Sequence, residues 1–138
     1  MYGSWEEHLK KTRKPEAEPV VMPWLFSKPF RQEHPKKVKE IKSRFAGGYL
    51  SPNSKAFKRQ MRANIATDTK NLLHRVKVPT LILVGKEDFL TPPRLAEELV
   101  SVMPNARLTV FDHGGHGLYW EAPESFNRTV IDFLHNQK

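Results

Sequence analysis

Val78-Pro79-Thr80-Leu81-Ile82-Leu83-Val84-Gly85-Lys86-Glu87-Asp88 organises the second half of this chain. Thr80 to Val84 runs apolar without polar alternation, as expected for a strand covered on both faces in a parallel sheet. The run closes on Gly85, and a carboxylate, Asp88, follows within one turn. Thr91-Pro92-Pro93 then predicts a helix start, with Leu95, Leu99 and Met103 as its inward stripe and Pro104-Asn105 as its end. Ala106 to Phe111 reads as a second strand, and the loop after it carries His113-Gly114-Gly115-His116-Gly117. Pro123 to His135 reads as a final helix with Phe126, Val130 and Phe133 or Leu134 inward. The order strand, helix, strand, helix implies a right-handed crossover and a parallel pair.

Upstream of Val78 the pattern is helical. Ser4-Trp5-Glu6-Glu7 fits a capping box and predicts a helix toward Thr12. Residues 15–23 read as irregular, and Trp24-Leu25-Phe26-Ser27 as one helical turn. From Pro35, Val38, Ile41 and Phe45 recur at three and four, while Lys36, Lys37, Lys39, Lys42 and Arg44 face water; Gly47-Gly48 stops that helix. Ser51-Pro52 caps the next, with Phe57, Met61 and Ile65 along one face. Asp68 to Arg75 predicts a short helix with Leu72 and Leu73 inward. The whole is expected to be α/β, with residues 1–76 a helical region and 77–138 a strand-helix-strand-helix unit.

Composition bounds the function. At 138 residues and 38% hydrophobic content, a single modest core is expected. No apolar run approaches the roughly 18 residues that span a bilayer. The start, Met1-Tyr2-Gly3-Ser4-Trp5, carries no basic segment followed by an apolar one, so no secretory signal is read there and a cytoplasmic location is expected. The absence of cysteine excludes disulfides, thiolate metal sites and cysteine nucleophiles. Charge is uneven: residues 1–79 hold 18 Lys and Arg against seven Asp and Glu, whereas residues 80–138 hold five against eight. Such asymmetry can mark an anionic partner. Aromatic residues do not interleave with the basic ones as a base-stacking platform requires, so the lysines are read as solvated helix faces and no nucleic acid is expected.

Two parallel strands are too few to stand alone. Parallel sheets are normally covered on both faces, and an unpaired edge leaves backbone donors and acceptors open. Additional sheet is therefore expected, from a second copy of this chain or from an N-terminal half that it lacks.

Residues 77–133 resemble the C-terminal part of α/β-hydrolases of the esterase, lactonase and haloalkane-dehalogenase type. The resemblance rests on Val-Pro-Thr-Leu-Ile-Leu-Val-Gly-Lys-Glu-Asp at 78–88, Thr-Pro-Pro at 91–93, Gly-Gly-His-Gly at 114–117 and Glu-Ala-Pro-Glu-Ser-Phe at 121–126. Residues 15–76 are similar to the helical cap such enzymes insert, notably at Met22 to Ser27 and Ser51 to Leu73. The resemblance implies that Asp88 is the acid of a Ser-His-Asp triad and His116 its general base, in the chain order Ser…Asp…His. It also implies a small ester-like substrate. The glycines at 114, 115 and 117 are read as letting the loop bend so that the ring reaches a site. Taken singly, Asp88 could be a turn residue and His116 a loop histidine bonded to backbone. His113 is the other candidate base, directly after the strand and outside the Gly-Gly-His match.

One element of the family pattern is absent. The serines are Ser4, Ser27, Ser43, Ser51, Ser54, Ser101 and Ser125, and none has glycine two residues before and two after, as the nucleophile elbow requires. The chain is thus expected to be the back half of a hydrolase, inactive alone for want of a nucleophile and an oxyanion hole. The alternative is a non-catalytic module that self-associates through its incomplete sheet. No cofactor is expected, and no metal: the six histidines are scattered, and His113 with His116 lacks a third ligand.

Overall fold

The computed structural model describes residues 18–46 and 55–137. The predicted helix from Ser4 to Thr12, the Gly47-Gly48 stop and the Ser51-Pro52 cap lie outside these residues. The elements are α1 (Glu18–Leu25), α2 (Lys28–Glu33), α3 (Pro35–Ala46), α4 (Lys55–Ala66), a 3-10 turn (Lys70–Arg75), β1 (Thr80–Gly85), α5 (Pro93–Val102), β2 (Ala106–Phe111), α6 (Leu118–Glu121) and α7 (Pro123–His135). The described residues form two compact units, one of residues 18–22, 34–46 and 55–68, the other of Pro23–Glu33 with residues 69–137.

In the first unit, α3 begins with Pro35 in the first turn, where a missing N–H costs nothing. Val38 is buried and Ile41 half-buried on one side, and the exposed Arg44 and Glu40 pair at i,i+4 (2.7 Å). Most of its lysines face solvent as the periodicity predicts, although Lys42 is half-buried. In α4 the expected apolar face is only partly covered: Met61 is half-buried, but Ile65 is 63% exposed.

The second unit holds the sheet. β1 and β2 pair in parallel, in register from Thr80 opposite Ala106 to Gly85 opposite Phe111. The crossover helix α5 packs against both strands and the 3-10 turn against α5. The fold class read from the sequence is therefore observed: two parallel strands with flanking helices and an open sheet. Coverage is less than a both-faces strand implies. Thr80 to Leu83 are half-buried, and only Val84 and Gly85 are buried, because no third strand flanks the pair among the described residues. Val78, Leu99, Val102 and Val110 remain exposed beside it. Leu72, expected inward, is exposed, whereas Leu73 is half-buried; of Phe133 and Leu134, Phe133 is the half-buried one and Leu134 is exposed.

Two further readings change. Residues 18–25, expected to be irregular and then a turn, form α1. Pro19 sits in the first turn, where donors have no intrahelical partner, and Pro23 comes so near the end that the helix closes two residues later. Phe26 and Ser27 then link to α2, which the sequence reading did not anticipate. Ser27 caps it: the Phe30 amide donates to Ser27 Oγ (3.2 Å), and the Arg31 Nε–H donates to the Phe26 carbonyl (3.2 Å). Phe26 is 1% exposed, stacking on Phe30 at 5.4 Å and tilting against Trp120 at 5.7 Å between ring centroids. Among the described residues no helix is long and apolar enough to cross a membrane.

Candidate functional site

The site lies at the carboxyl ends of the two strands, where ligands of open parallel sheets bind. Past β1 the chain turns at once, the Asp88 amide donating to the Gly85 carbonyl (3.0 Å). Past β2 the His loop folds back over the same end: the Glu87 amide donates to the Gly114 carbonyl (3.0 Å). This approach requires glycine at 85, since a Cβ there would lie 2.1 Å from the Gly114 oxygen. Gly114 itself adopts φ +106°, a conformation L side chains rarely take. The neighbouring glycines serve room rather than bending: neither Gly115 nor Gly117 has positive φ, and each faces the chain at Leu25 to Ser27.

Asp88 is 6% exposed and every acceptor position of its carboxylate is used. Oδ1 accepts the amides of Leu90 (2.9 Å) and Thr91 (2.8 Å). Oδ2 accepts the Thr91 hydroxyl (2.8 Å) and the His116 Nδ1–H (3.0 Å). The Thr91 oxygen also lies 3.3 Å from Nδ1. This network sets the imidazole tautomer: with the proton on Nδ1 and given to Asp88, the neutral ring offers Nε2 as an acceptor. The His116 side chain is 42% exposed, so its ring stands at the surface while its partner is buried. The fold brings Asp88 and His116 together, and not His113, which is exposed. Lys86 pairs with Asp112 at the surface (3.4 Å).

Sequence reading missed three participants. Thr91 reads as the start of α5, but Pro92 occupies the N-cap position and the Thr91 hydroxyl goes to Asp88 instead. Glu121 and Ser27 form the second hydrogen-bonded cluster of this unit. Glu121 ends the one-turn helix α6, which was not anticipated either. Its Oε1 accepts the amides of Ser27 (3.0 Å) and Gly115 (2.9 Å), and its Oε2 accepts the Ser27 hydroxyl (2.5 Å). No local signal joins residues 94 positions apart. Among the described residues, no group of three or more His, Asp or Glu side chains is disposed to hold a metal ion.

Comparison with known proteins bears on the fold. A family model described as the alpha/beta hydrolase fold matches residues 23–123. A 2-hydroxy-6-oxononadienedioate/2-hydroxy-6-oxononatrienedioate hydrolase of Burkholderia vietnamiensis is 42% identical over 67 residues, which is 49% of this chain and 23% of that protein. Among solved structures, the alpha/beta hydrolase MGS-M2 from a Medee basin deep-sea metagenome library superposes with a TM-score of 0.78 at 26% identity. The match covers 96% of this chain and 49% of that one. The esterase EaEST of Exiguobacterium antarcticum gives 0.74 at 26% identity, covering 96% and 47%. The chain thus spans about half the length of these solved relatives, and between 22% and 33% of the curated ones it matches first. A family match over most of the chain, with a parallel strand pair and a loop histidine on a strand-end carboxylate, makes this chain a member of the α/β-hydrolase fold family.

Proposed function

We propose that this chain supplies the acid and the base of a Ser-His-Asp hydrolase site whose nucleophile and oxyanion donors come from a preceding polypeptide half. The observation that carries the reading is the His116 Nδ1 contact to buried Asp88 Oδ2 at 3.0 Å. Nε2 would take the proton of the incoming serine hydroxyl as its oxygen forms a bond to the substrate carbonyl carbon. The imidazolium is stabilised by Asp88, and its proton passes to the leaving alkoxide as the acyl–oxygen bond breaks. Water then repeats the sequence on the acyl-enzyme and frees the acid. Carboxylic esters or lactones are the substrate class, a reading supported by the esterase among the relatives above 25% identity. Residues 1–76 would act as its cap and 77–138 as the end of its core.

On this reading the chain alone does not turn over esters. The test is p-nitrophenyl acetate hydrolysis by the chain, alone and combined with the N-terminal half of a related hydrolase. Turnover is expected only in the combination and is lost with His116→Ala; turnover by the chain alone that survives His116→Ala overturns the assignment. The exposed Val78, Leu99, Val102 and Val110 beside the open sheet favour a second reading, self-association with another copy. Sedimentation separates the two, since a stable monomer at micromolar concentration excludes the second.

A further inference from the structure

The His116 loop is held on its far side by a carboxylate that the proposed chemistry does not use. Glu121 Oε1 accepts the Gly115 amide at 2.9 Å, one residue before His116. The same oxygen accepts the Ser27 amide, and Oε2 accepts the Ser27 hydroxyl. Ser27 is itself buried and fixed as the cap of α2. The two segments are so close that a Cβ on Gly115 would lie 2.9 Å from the Ser27 nitrogen and 3.0 Å from the Leu25 carbonyl oxygen. A second strand of this clamp is the Gly117 amide donating to that Leu25 carbonyl (2.7 Å). His116 is thus the one residue between two backbone amides, at 115 and 117, that are both tied to residues 25–27.

We infer that Glu121 is the positioning residue of His116: its carboxylate locks the peptide before the histidine, so that Nδ1 stays on Asp88 while the exposed ring edge remains free to move protons. The inference rests on the proposed pairing of Asp88 and His116 as acid and base. Charge matters as well as shape, because hydrogen bonds accepted by a carboxylate are stronger than those accepted by an amide. Glutamine at 121 can keep one oxygen for both amides, with its NH2 turned to the Ser27 hydroxyl, whereas alanine keeps nothing.

The test is the ring-nitrogen chemical shifts of His116, which report its tautomer, together with amide hydrogen exchange at Gly115 and along β1. In Glu121→Ala the Nδ1–H tautomer is expected to lose its dominance, with exchange at Gly115 about tenfold faster and β1 unchanged. Glu121→Gln, which keeps the acceptor without the charge, restores about half of both readouts. Ser27→Ala, which removes only the hydroxyl arm, gives a smaller change confined to the same residues and serves where the alanine variant at 121 does not fold. Unchanged Gly115 exchange and tautomer in a folded Glu121→Ala overturn the inference, as does faster exchange spread evenly over β1 in both variants. Failure of the acid–base reading is distinguishable: the parent chain would then lack the Nδ1–H tautomer, while Gly115 exchange still answers for Glu121.

Discussion

Replacing Asp88 by alanine and, separately, by asparagine divides what the carboxylate holds from what it does to the imidazole. Alanine removes the acceptor of two backbone amides, at Leu90 and Thr91, and of the Thr91 hydroxyl, at a position only 6% exposed. Leaving a buried donor unmet costs about 1–3 kcal/mol. The two amides belong to the exposed Leu90 and Thr91 and their bonds are part-buried, so each sits at the low end. Together they set a loss of about 2 kcal/mol, and the contact to the 42% exposed ring adds little after solvent screening. Asparagine keeps a carbonyl oxygen for the two amides and loses charge assistance, about 1 kcal/mol, while the Thr91 hydroxyl must turn from donor to acceptor of its NH2. Its NH2 group, however, faces Nδ1 and turns it into an acceptor, so the ring proton moves to Nε2. A ring protonated there cannot take a proton from a nucleophile, and in a Ser-His-Asp enzyme the equivalent exchange lowers kcat about 10⁴-fold, or about 5.5 kcal/mol of barrier. The asparagine variant should thus be nearly as stable as the parent and nearly inactive when completed, whereas the alanine variant loses both. Urea unfolding reads stability, ring-nitrogen shifts read the tautomer, and ester hydrolysis by the completed protein reads activity. Asp88→Asn that keeps the Nδ1–H tautomer, or stays within tenfold of parent activity, refutes the reasoning.

Other outcomes follow from the same contacts. Gly114→Ala forces an L side chain into φ +106° and places its Cβ 2.7 Å from Leu118 Cδ1. It should lower stability by about 1–3 kcal/mol in thermal unfolding and weaken the Nδ1–H tautomer by moving the loop. Thr91→Val keeps the shape but removes the hydroxyl donated to Asp88 Oδ2. It should cost about 1 kcal/mol in urea unfolding and, in the completed protein, reduce turnover less than tenfold, far short of the asparagine variant at 88.

How much of this the chain reveals before it is folded depends on whether the deciding contacts are local. Thr80 to Val84 is an unbroken apolar run and Ala106 to Phe111 follows it after one helix length, so both strands, their direction and α5 are readable from pattern alone. Position after a strand end brings out Asp88 but would favour His113 over His116, and it is the resemblance at Gly-Gly-His-Gly that singles out the histidine the fold sets on Asp88. The helix that holds Pro19 and Pro23 is not readable, since proline reads as punctuation unless its place in the turn is known. The exposed Leu72 and Ile65 mislead for another reason: an apolar stripe tells which face seeks cover, not whether cover is present. Glu121 with Ser27, and Thr91 with Asp88, are side-chain bonds chosen by the folded arrangement, and Thr91 sits where a helix cap would read equally well.

The account turns on whether His116 is the base of an ester-hydrolysing site that this chain cannot complete by itself. The direct measurement is p-nitrophenyl acetate turnover by the 138-residue chain combined with the N-terminal half of a related hydrolase, parent against His116→Ala. The account predicts no turnover by either part alone, turnover on mixing, and a loss of about 10⁴-fold with the alanine variant. A mixture whose turnover is indifferent to His116→Ala, or a chain that hydrolyses the ester alone and keeps doing so without His116, contradicts it.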